Sequence, residues 1–466
     1  MKREEIRRLI EQNPEAVIEL IERLFARIEE LERRLHINSR NSNKPPSSDG
    51  LKRKQRRMQE RENRKKRGGQ IGHEGNQLKM QENPDRIEVH RVTHCRKCQC
   101  SLEGVNVKGY RKRQIFDIPA ISLEVTEHQA EYKECPHCGV ITSASFPDGV
   151  NRPAQYWSKI KGFITYLSCY QLIPYERLAE LLEDLFGVRI STGTIYNTNL
   201  RAYEAGAESE EAIKKLLQKQ PLLHADETGL FIGGKLHWLH VLSNEKLTYY
   251  FPHAKSGKKA IEDIGIIPEY RGYLMHDFWS SYLPYSCSHL FCNAHILREL
   301  TGIHENSGQK WPLEMIDLLV SSRKKVELAS DNLKESTVQA IEHEFDRILL
   351  KGFRCNAQKN TGPPRRGRKK KSKPLNLLER LKEYKHGILM FVKDFSIPFD
   401  NNQAERDLRM IKVQQKISGC FRSLEGALFF ARIRGYISTV KKNNKNVLCA
   451  LQGLFENNQF MPAVGE

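Results

Sequence analysis

The stretch that decides the fold runs from Leu222 to Phe251 and reads LLHADETGLFIGGKLHWLHVLSNEKLTYYF. Three runs within it, at 222–226, 236–242 and 247–251, have the composition of short β-strands. Gly233-Gly234 supplies a turn between the first two runs, and Asn244-Glu245 separates the second from the third. The pattern predicts three consecutive antiparallel strands.

Alternating helix and strand follow this stretch. We expect a short helix at 258–265, a fourth strand at 273–277 (YLMHD) and a fifth at 289–294 (HLFCNA). Three antiparallel strands followed by this alternation form the order of a ribonuclease-H-like sheet. Residues 309–395 are predicted to be mostly helical. The predicted fold class is therefore α/β, a ribonuclease-H-like catalytic domain with a helical insertion.

Two aspartates fall at ends of predicted strands. Asp226 ends the first strand, in HADETG, and Asp277 ends the fourth, in HDFW. These strands are neighbours in the predicted sheet, so the carboxylates can converge on two shared divalent cations, as phosphoryl transfer to DNA requires. Carboxylate oxygens suit Mg²⁺, for which Mn²⁺ can substitute. The alternative for each aspartate alone is a turn former at a strand end.

A third acidic ligand is expected from the later segment DNNQAERDLR, where Glu405 is the best candidate. Its alternative role is structural, because Asn402-x-x-Glu405 fits a capping box at a helix start. Arg409 lies four residues after Glu405 and could pair with it or with DNA phosphate, and Arg406 is a further DNA contact. Spacing alone leaves three rival acids, Asp400, Asp407 and Glu299. The nearby His276, Trp279 and His295 could position the phosphate or stack on a base. The alternative is core packing for Trp279 and a satisfied polar group at a strand end for each histidine.

Two C-x-x-C pairs lie upstream, and their four thiols are the predicted zinc ligands: Cys95, Cys98, Cys135 and Cys138. Tight spacing lets two thiolates on one turn face one ion, and two such turns complete a tetrahedral zinc site. Alternating residues at 114–118 and 121–125 predict strands of a zinc ribbon between the pairs. The alternative is four unrelated thiols.

Residues 175–205 have the pattern of a helix-turn-helix. Gly187 can end a first helix over 175–186, and Ser191 or Thr192 can cap a second. Polar residues in the first turns of a second helix can read the major groove, and here they are Thr194, Tyr196 and Asn197. A helical hairpin without DNA contact would show the same pattern.

The net charge of +19 is concentrated in two runs, 51–67 and 365–373, which carry 15 of the 19 charges. Such runs neutralise phosphate, so the expected partner is double-stranded DNA. The predicted contacts in the first run are Lys52, Arg53, Lys54, Arg56, Arg57, Arg64, Lys65, Lys66 and Arg67. The second run contacts DNA or fills an exposed loop.

The N-terminal region carries a heptad seam over 14–36, which predicts a short coiled coil for self-association or a helix docked on the body. A polar Pro/Ser-rich linker follows. No secretory signal and no apolar run of about 18 residues is visible, so we expect no membrane association and a cytoplasmic location at the bacterial nucleoid.

These motifs together resemble the transposases of the bacterial insertion-sequence-66 family. The resemblance rests on HADETG, HDFWSSY, CNAHILREL and FDNNQAERDLRMIKVQQKISGCFRS, with NSRNSNKPPSSDG, GGQIGHEG and the paired C-x-x-C region upstream. It implies a DDE transposase whose catalytic residues are Asp226, Asp277 and Glu405, and it supports the four cysteines as zinc ligands. Family members commonly read GGQPGH where this chain has Ile71.

The expected function is Mg²⁺-dependent DNA cleavage and strand transfer at the terminal inverted repeats of an insertion sequence. A homo-oligomeric synaptic complex, target DNA and element-encoded accessory proteins are the expected partners. Two alternatives are a decayed transposase that only regulates and a ribonuclease-H-like nuclease that only hydrolyses. The expected division is 1–40 coiled coil, 41–88 linker, 89–149 zinc module, 150–205 helix-turn-helix region, 206–440 catalytic domain with its insertion at about 308–395, and 441–466 tail.

Overall fold

The structure, a computed structural model, describes residues 78–357 and 371–463. The predicted N-terminal coiled coil, the linker up to residue 77 and the first basic run, with all nine of its predicted DNA contacts, lie outside these residues. The second basic run lies outside them too, apart from 371–373.

The cysteine-rich module contains one small hairpin. Strands β1 (Tyr132–Glu134) and β2 (Ile141–Ser143) pair antiparallel, and an isolated bridge joins His94 to Ser101. The strands expected at 114–118 and 121–125 were a wrong prediction, because neither stretch forms a strand. The alternation there meets no apolar surface to bury its side chains, and Ile115 is 94% exposed.

A helical region follows. It comprises α1 (Ser158–Thr165), a π-helical turn (Tyr166–Tyr170), α2 (Tyr175–Phe186), α3 (Thr192–Ala205) and α4 (Ala207–Gln218). Gly187 ends α2 in the left-handed conformation, at φ +67°. The Ser191 hydroxyl begins α3 by accepting the backbone N–H of Thr194 at 3.1 Å. The helical pair predicted from the sequence is therefore confirmed as a local structure.

A five-stranded mixed sheet forms the centre of the chain. Its strands are β3 (Leu222–Ile232), β4 (Lys235–Ser243), β5 (Thr248–His253), β6 (Tyr273–His276) and β7 (Ser288–Phe291), in the spatial order β5-β4-β3-β6-β7. The first three run antiparallel, whereas β6 is parallel to β3 and β7 to β6. All five predicted strands are confirmed, although β3 continues to Ile232. Asp226 therefore lies inside β3, because the β4 hairpin pairs the strand well beyond it.

The remaining helices come after β5 in the chain. They are α5 (Lys258–Ile264), a 3₁₀ turn (Ile267–Glu269), α6 (Asn293–Ser307), α7 (Trp311–Leu328), α8 (Glu335–Cys355), α9 (Lys373–Glu383), α10 (Lys385–Lys393), α11 (Asn402–Ser418), α12 (Leu424–Lys442) and α13 (Val447–Gly453). Most of the described residues within 309–395 are helical, as predicted. None of the helices in the described residues combines the length and apolarity needed to cross a membrane.

Packing follows the two-residue period of the strands. Leu223 and Ala225 of β3 pack with residues of α4 and α5 on one face. Leu230 and Ile232 pack on the other face, against α11 and α12. Asp226 has the same parity as Leu230, so the sheet directs its side chain towards the α11 side. Helices α7 to α10 form a separate core with β6 and β7.

Candidate active site

Asp226 and Asp277 are brought together by strand register. The parallel pairing of β3 with β6 matches Leu222 to Tyr273 and His224 to Met275. Continued by two residues, the same register places Asp226 opposite Asp277, which directly follows β6. Neighbouring strands lie about 4.8 Å apart, so both carboxyl groups belong to one small region of the sheet.

Each of these aspartates has one oxygen already occupied. Asp226 Oδ1 accepts the backbone N–H of Glu227 at 2.8 Å, and Asp277 Oδ1 accepts that of Trp279 at 2.9 Å. Within the described residues, the Oδ2 atom of neither aspartate accepts a hydrogen bond. The two backbone contacts orient the carboxylates and leave one oxygen of each for a ligand.

The electrostatics of this pair favour a positively charged ligand. Burial, Asp277 and Glu405 raise the pKa of Asp226 to about 7, while the N–H of Glu227 and the Lys412 ammonium oppose the rise. Burial also raises the pKa of Asp277, and Glu299 adds to this effect. Carboxylates that repel one another in a poorly solvated place bind a divalent cation readily, and an all-oxygen donor set fits Mg²⁺.

Glu405 lies in the first turn of α11, and its side chain does not cap that helix. Asn401 is the N-cap residue and its side chain makes no capping hydrogen bond, so the capping-box alternative, with Asn402 as the cap, is wrong. Glu405 instead faces α6: its Oε1 lies 3.8 Å from His295 Nδ1 and 3.9 Å from Arg298 Nη1. Oε1 is buried and accepts no hydrogen bond.

Each of the three rival acids lies next to a basic side chain. Asp407 pairs with Lys442 at 2.8 Å, Glu299 pairs with Arg380 at 2.5 Å, and Asp400 lies 3.8 Å from Arg323. Within the described residues, the compact group of metal-ligand side chains is Cys292, His295 and Glu405, whose donor atoms lie within 4.8 Å of one another. The set Asp226, Asp277 and Glu405 is less compact than this.

Two residues near Asp226 were not predicted for the site. Glu227 Oε2 accepts the Tyr282 hydroxyl at 2.7 Å, and burial raises the Glu227 pKa well above its usual range, with Asp226 and Asp277 adding to it. Lys412 Nζ donates to the carbonyl of Gly229 at 3.1 Å. Spacing along the helix could have identified Lys412, since it lies seven residues after Glu405 and therefore on the same helix face.

The aromatic and histidine neighbours mostly belong to the core. His276 is fully buried with Nε2 2.9 Å from His289 Nδ1, and burial lowers its pKa to about 3. Trp279 packs edge-to-face on Trp238, with ring centroids 5.8 Å apart. His295, in contrast, faces Glu405.

The predicted DNA-contacting residues have different surroundings. Tyr196 donates its hydroxyl to Glu425 at 3.0 Å and packs on Phe429 of α12, and Thr194 Oγ1 lies 3.0 Å from Ser191 Oγ. The side chain of Asn197 is exposed. Arg406 and Arg409 are exposed as well, and Arg409 forms no ion pair with Glu405 in the part of the chain described.

The two C-x-x-C turns have the same backbone geometry. The N–H of Cys95 donates to the carbonyl of Cys100, and that of Cys135 to the carbonyl of Val140, both at 2.9 Å. Gln99 and Gly139, four residues after the first cysteine of each turn, are left-handed at φ +59° and +69°. Backbone N–H groups directed at the sulfur lower the pKa of both Cys95 and Cys135. Each turn thus presents a thiolate-stabilising half-site, as zinc knuckles do.

Comparison with protein families agrees with this organisation. A family of unknown function, DUF6444, matches residues 1–79, and the zinc-finger binding domain of transposase IS66 matches residues 93–139. The transposase IS66 family matches residues 154–428, which cover the helical pair, the sheet, the insertion and Glu405. A search of curated proteins returned no match. Because the transposase match spans more than half of the 466 residues, the chain belongs to the IS66 family of transposases.

Proposed function

We propose that this protein is a DDE-type transposase that binds the terminal inverted repeats of its element, cleaves a DNA strand there and joins the 3′ end to target DNA. The observation that carries the proposal is the β3–β6 register, which, continued by two residues, sets Asp226 opposite Asp277, with Glu405 close enough to raise the Asp226 pKa. The strand order β5-β4-β3-β6-β7, with β6 parallel to β3, supports a ribonuclease-H-like catalytic domain.

The residues that would hold two Mg²⁺ or Mn²⁺ ions are Asp226, Asp277 and Glu405. Bound there, the ions would activate the attacking water or 3′-hydroxyl and stabilise the leaving oxygen. The chain's own contribution is orientation: backbone N–H groups fix Oδ1 of each aspartate, and α11 carries Glu405 in its first turn. Lys412, close enough to Asp226 to influence its pKa, would contact the scissile phosphate.

DNA binding is assigned to the zinc finger, α3 and the first basic run. Cys95, Cys98, Cys135 and Cys138 would ligate a structural Zn²⁺, which supports the finger's fold. Asn197 is the best placed of the predicted α3 contacts because it is exposed, whereas Tyr196 is held by Glu425. Arg406 and Arg409 would bind phosphate near the acids. A homo-oligomer would pair the two element ends, with accessory proteins where the element encodes them.

The test is a strand-transfer assay with a labelled element end, a target plasmid and Mg²⁺. We expect joined product from the parent and none from Asp226→Asn or Asp277→Asn. Asp331→Asn is the matched control, since Asp331 is an exposed aspartate between α7 and α8. Cleavage without joining by the parent would favour a nuclease, and binding without either reaction a regulator. Full activity of Glu405→Gln would overturn the role of Glu405.

A further inference from the structure

Two helix starts meet at a small buried cluster. Cys292 immediately precedes α6, His295 lies in the first turn of α6, and Glu405 lies in the first turn of α11. The backbone N–H of Asn401 donates to Cys292 Sγ at 3.2 Å, which fixes α11 against α6. One thiol, one imidazole and one carboxyl group therefore face each other with donor atoms within 4.8 Å.

Two of these donor atoms are buried without a hydrogen bond. His295 Nδ1 and Glu405 Oε1 are both inaccessible to solvent and form no hydrogen bond, although they lie 3.8 Å apart. That distance is too long for a hydrogen bond. Buried polar atoms are normally satisfied, so a missing group between them is the simplest account.

The chemical nature of the three donor atoms indicates which ion they would bind. Sulfur, imidazole nitrogen and carboxylate oxygen together are ligands of Zn²⁺, whereas Mg²⁺ takes oxygen ligands. Tetrahedral zinc with the usual bond lengths separates its ligand atoms by roughly 3.4 to 3.7 Å. The 3.8 Å between His295 Nδ1 and Glu405 Oε1 needs only a small adjustment to reach this range.

We infer that Cys292, His295 and Glu405 bind a zinc ion, separate from the ion of the four-cysteine finger. Three protein ligands leave a fourth position for water. The ion would join the start of α6 to the start of α11 and thereby fix the Glu405 carboxylate beside Asp226. Only the sharing of Glu405 with the proposed Mg²⁺ site rests on the proposed function; zinc binding by the cluster does not.

The experiment measures zinc bound per full-length chain by inductively coupled plasma mass spectrometry after gel filtration. We expect about two zinc ions in the parent and about one in Cys292→Ser. A variant with all four finger cysteines changed to serine should retain about one, and adding Cys292→Ser to it should remove that one. Cys287→Ser is the matched control, since Cys287 is also buried but lies outside the cluster.

Co²⁺ loading of the four-serine variant gives a second readout. A sulfur-to-cobalt charge-transfer band is expected and should vanish with Cys292→Ser. If Cys292→Ser does not fold by circular dichroism, His295→Leu takes its place. A parent that binds about one zinc ion, all of it lost with the finger cysteines, would overturn the inference and leave a metal-free His295–Glu405 contact. If the parent binds about two zinc ions but performs no strand transfer, the zinc inference stands and the proposed function is contradicted.

Discussion

Asn401 joins helix α11 to strand β3, because its Nδ2 donates to the carbonyl oxygen of Ala225 at 2.8 Å. Its Oδ1 lies 2.7 Å from His224 Nδ1, so both ends of the amide are used. Ala225 directly precedes Asp226, and Glu405 lies one helical turn after Asn401. This buried amide therefore sets the separation of two proposed catalytic acids.

Asn401→Ala tests that arrangement. The change leaves the Ala225 carbonyl and the His224 ring without their buried partner, which should cost about 1–3 kcal/mol of unfolding free energy. Strand transfer should fall as well, since Glu405 loses its fixed position. Urea unfolding and the transfer assay measure the two effects. Asn402→Ala changes the exposed neighbour and should alter neither, so equal losses in both variants would contradict the role of Asn401.

Asp226 should make the metal-free protein less stable as the pH rises. Its native pKa is about 7 and its unfolded pKa is about 3.9, so the native state binds more protons between these values. The contribution of Asp226 to the free energy of unfolding should be most favourable below about pH 4. It should fall by on the order of a few kcal/mol between pH 4 and pH 7 and stay constant at higher pH. The Asp226→Asn variant should not show this loss of stability with rising pH.

Thermal unfolding at pH 5 and pH 8 in Mg²⁺-free buffer measures this difference. The melting temperature of the parent should fall more than that of Asp226→Asn between the two pH values. Added Mg²⁺ should restore the parent selectively at pH 8, because a ligand of the native state stabilises it by mass action. Identical pH dependence in both proteins would show that Asp226 is well solvated.

Much of this architecture could be predicted because it is local. The period of two and the turn residues identified all five strands, and Gly187 with Ser191 identified the helical pair. Strand parity also puts Asp226 on the same face of the sheet as Leu230, but it does not identify the helix that covers this face. In each case neighbouring residues in the sequence determine the backbone, so their pattern carries the information.

Contacts between distant segments could not be predicted in this way. Cys292 and Glu405 are more than 100 residues apart, and the helical insertion that brings α11 back to the sheet lies between them. The sequence likewise allowed Asn402 and Glu405 to form a capping box, but Asn401 is the N-cap residue and Asn402 is already the first residue of α11. The alternating residues at 114–118 fail as a strand because no apolar face covers them.

Asp407 and Lys442 form a buried ion pair that should be essential for the stability of the protein. Lys442 Nζ lies 2.8 Å from Asp407 Oδ2 and also donates to the carbonyl of Asn244 at 2.9 Å. Lys442→Met would leave the Asp407 carboxylate buried without its counter-charge, at a cost of about 3–5 kcal/mol. The exposed pair of Lys258 and Glu262 is the control, and Lys258→Met should change stability by about 0.5 kcal/mol or less.

Chemical denaturation of the two lysine variants shows whether Asp407 has a structural role or is available as the third acid of the metal site. If Lys442→Met is as stable as the parent, Asp407 is free to act elsewhere and returns as a rival third acid. If stability falls as expected while Lys258→Met is neutral, Asp407 serves the packing of α12 on β5. Glu405 is then the acid of this segment that remains for the metal site.

Gly387 allows α10 to approach β7 closely. A methyl group at Gly387 would overlap the carbonyl oxygen of His289 and press on the Phe291 ring at 3.2 Å. Gly387→Ala should therefore cost about 1–3 kcal/mol, because neither backbone nor ring can move away easily. Gly193→Ala provides the opposite case: Gly193 is exposed on α3, where a methyl group meets only Ser191 Oγ at 3.8 Å.

The two alanine variants should thus differ in sign. Gly193→Ala should gain about 0.5 kcal/mol because alanine restricts the unfolded chain more than glycine does. Guanidinium titrations at one pH compare both with the parent. A neutral Gly387→Ala would mean that the insertion can shift relative to the sheet. Since β7 pairs with β6, which carries Asp277 at its end, such freedom would also loosen the position of that carboxylate.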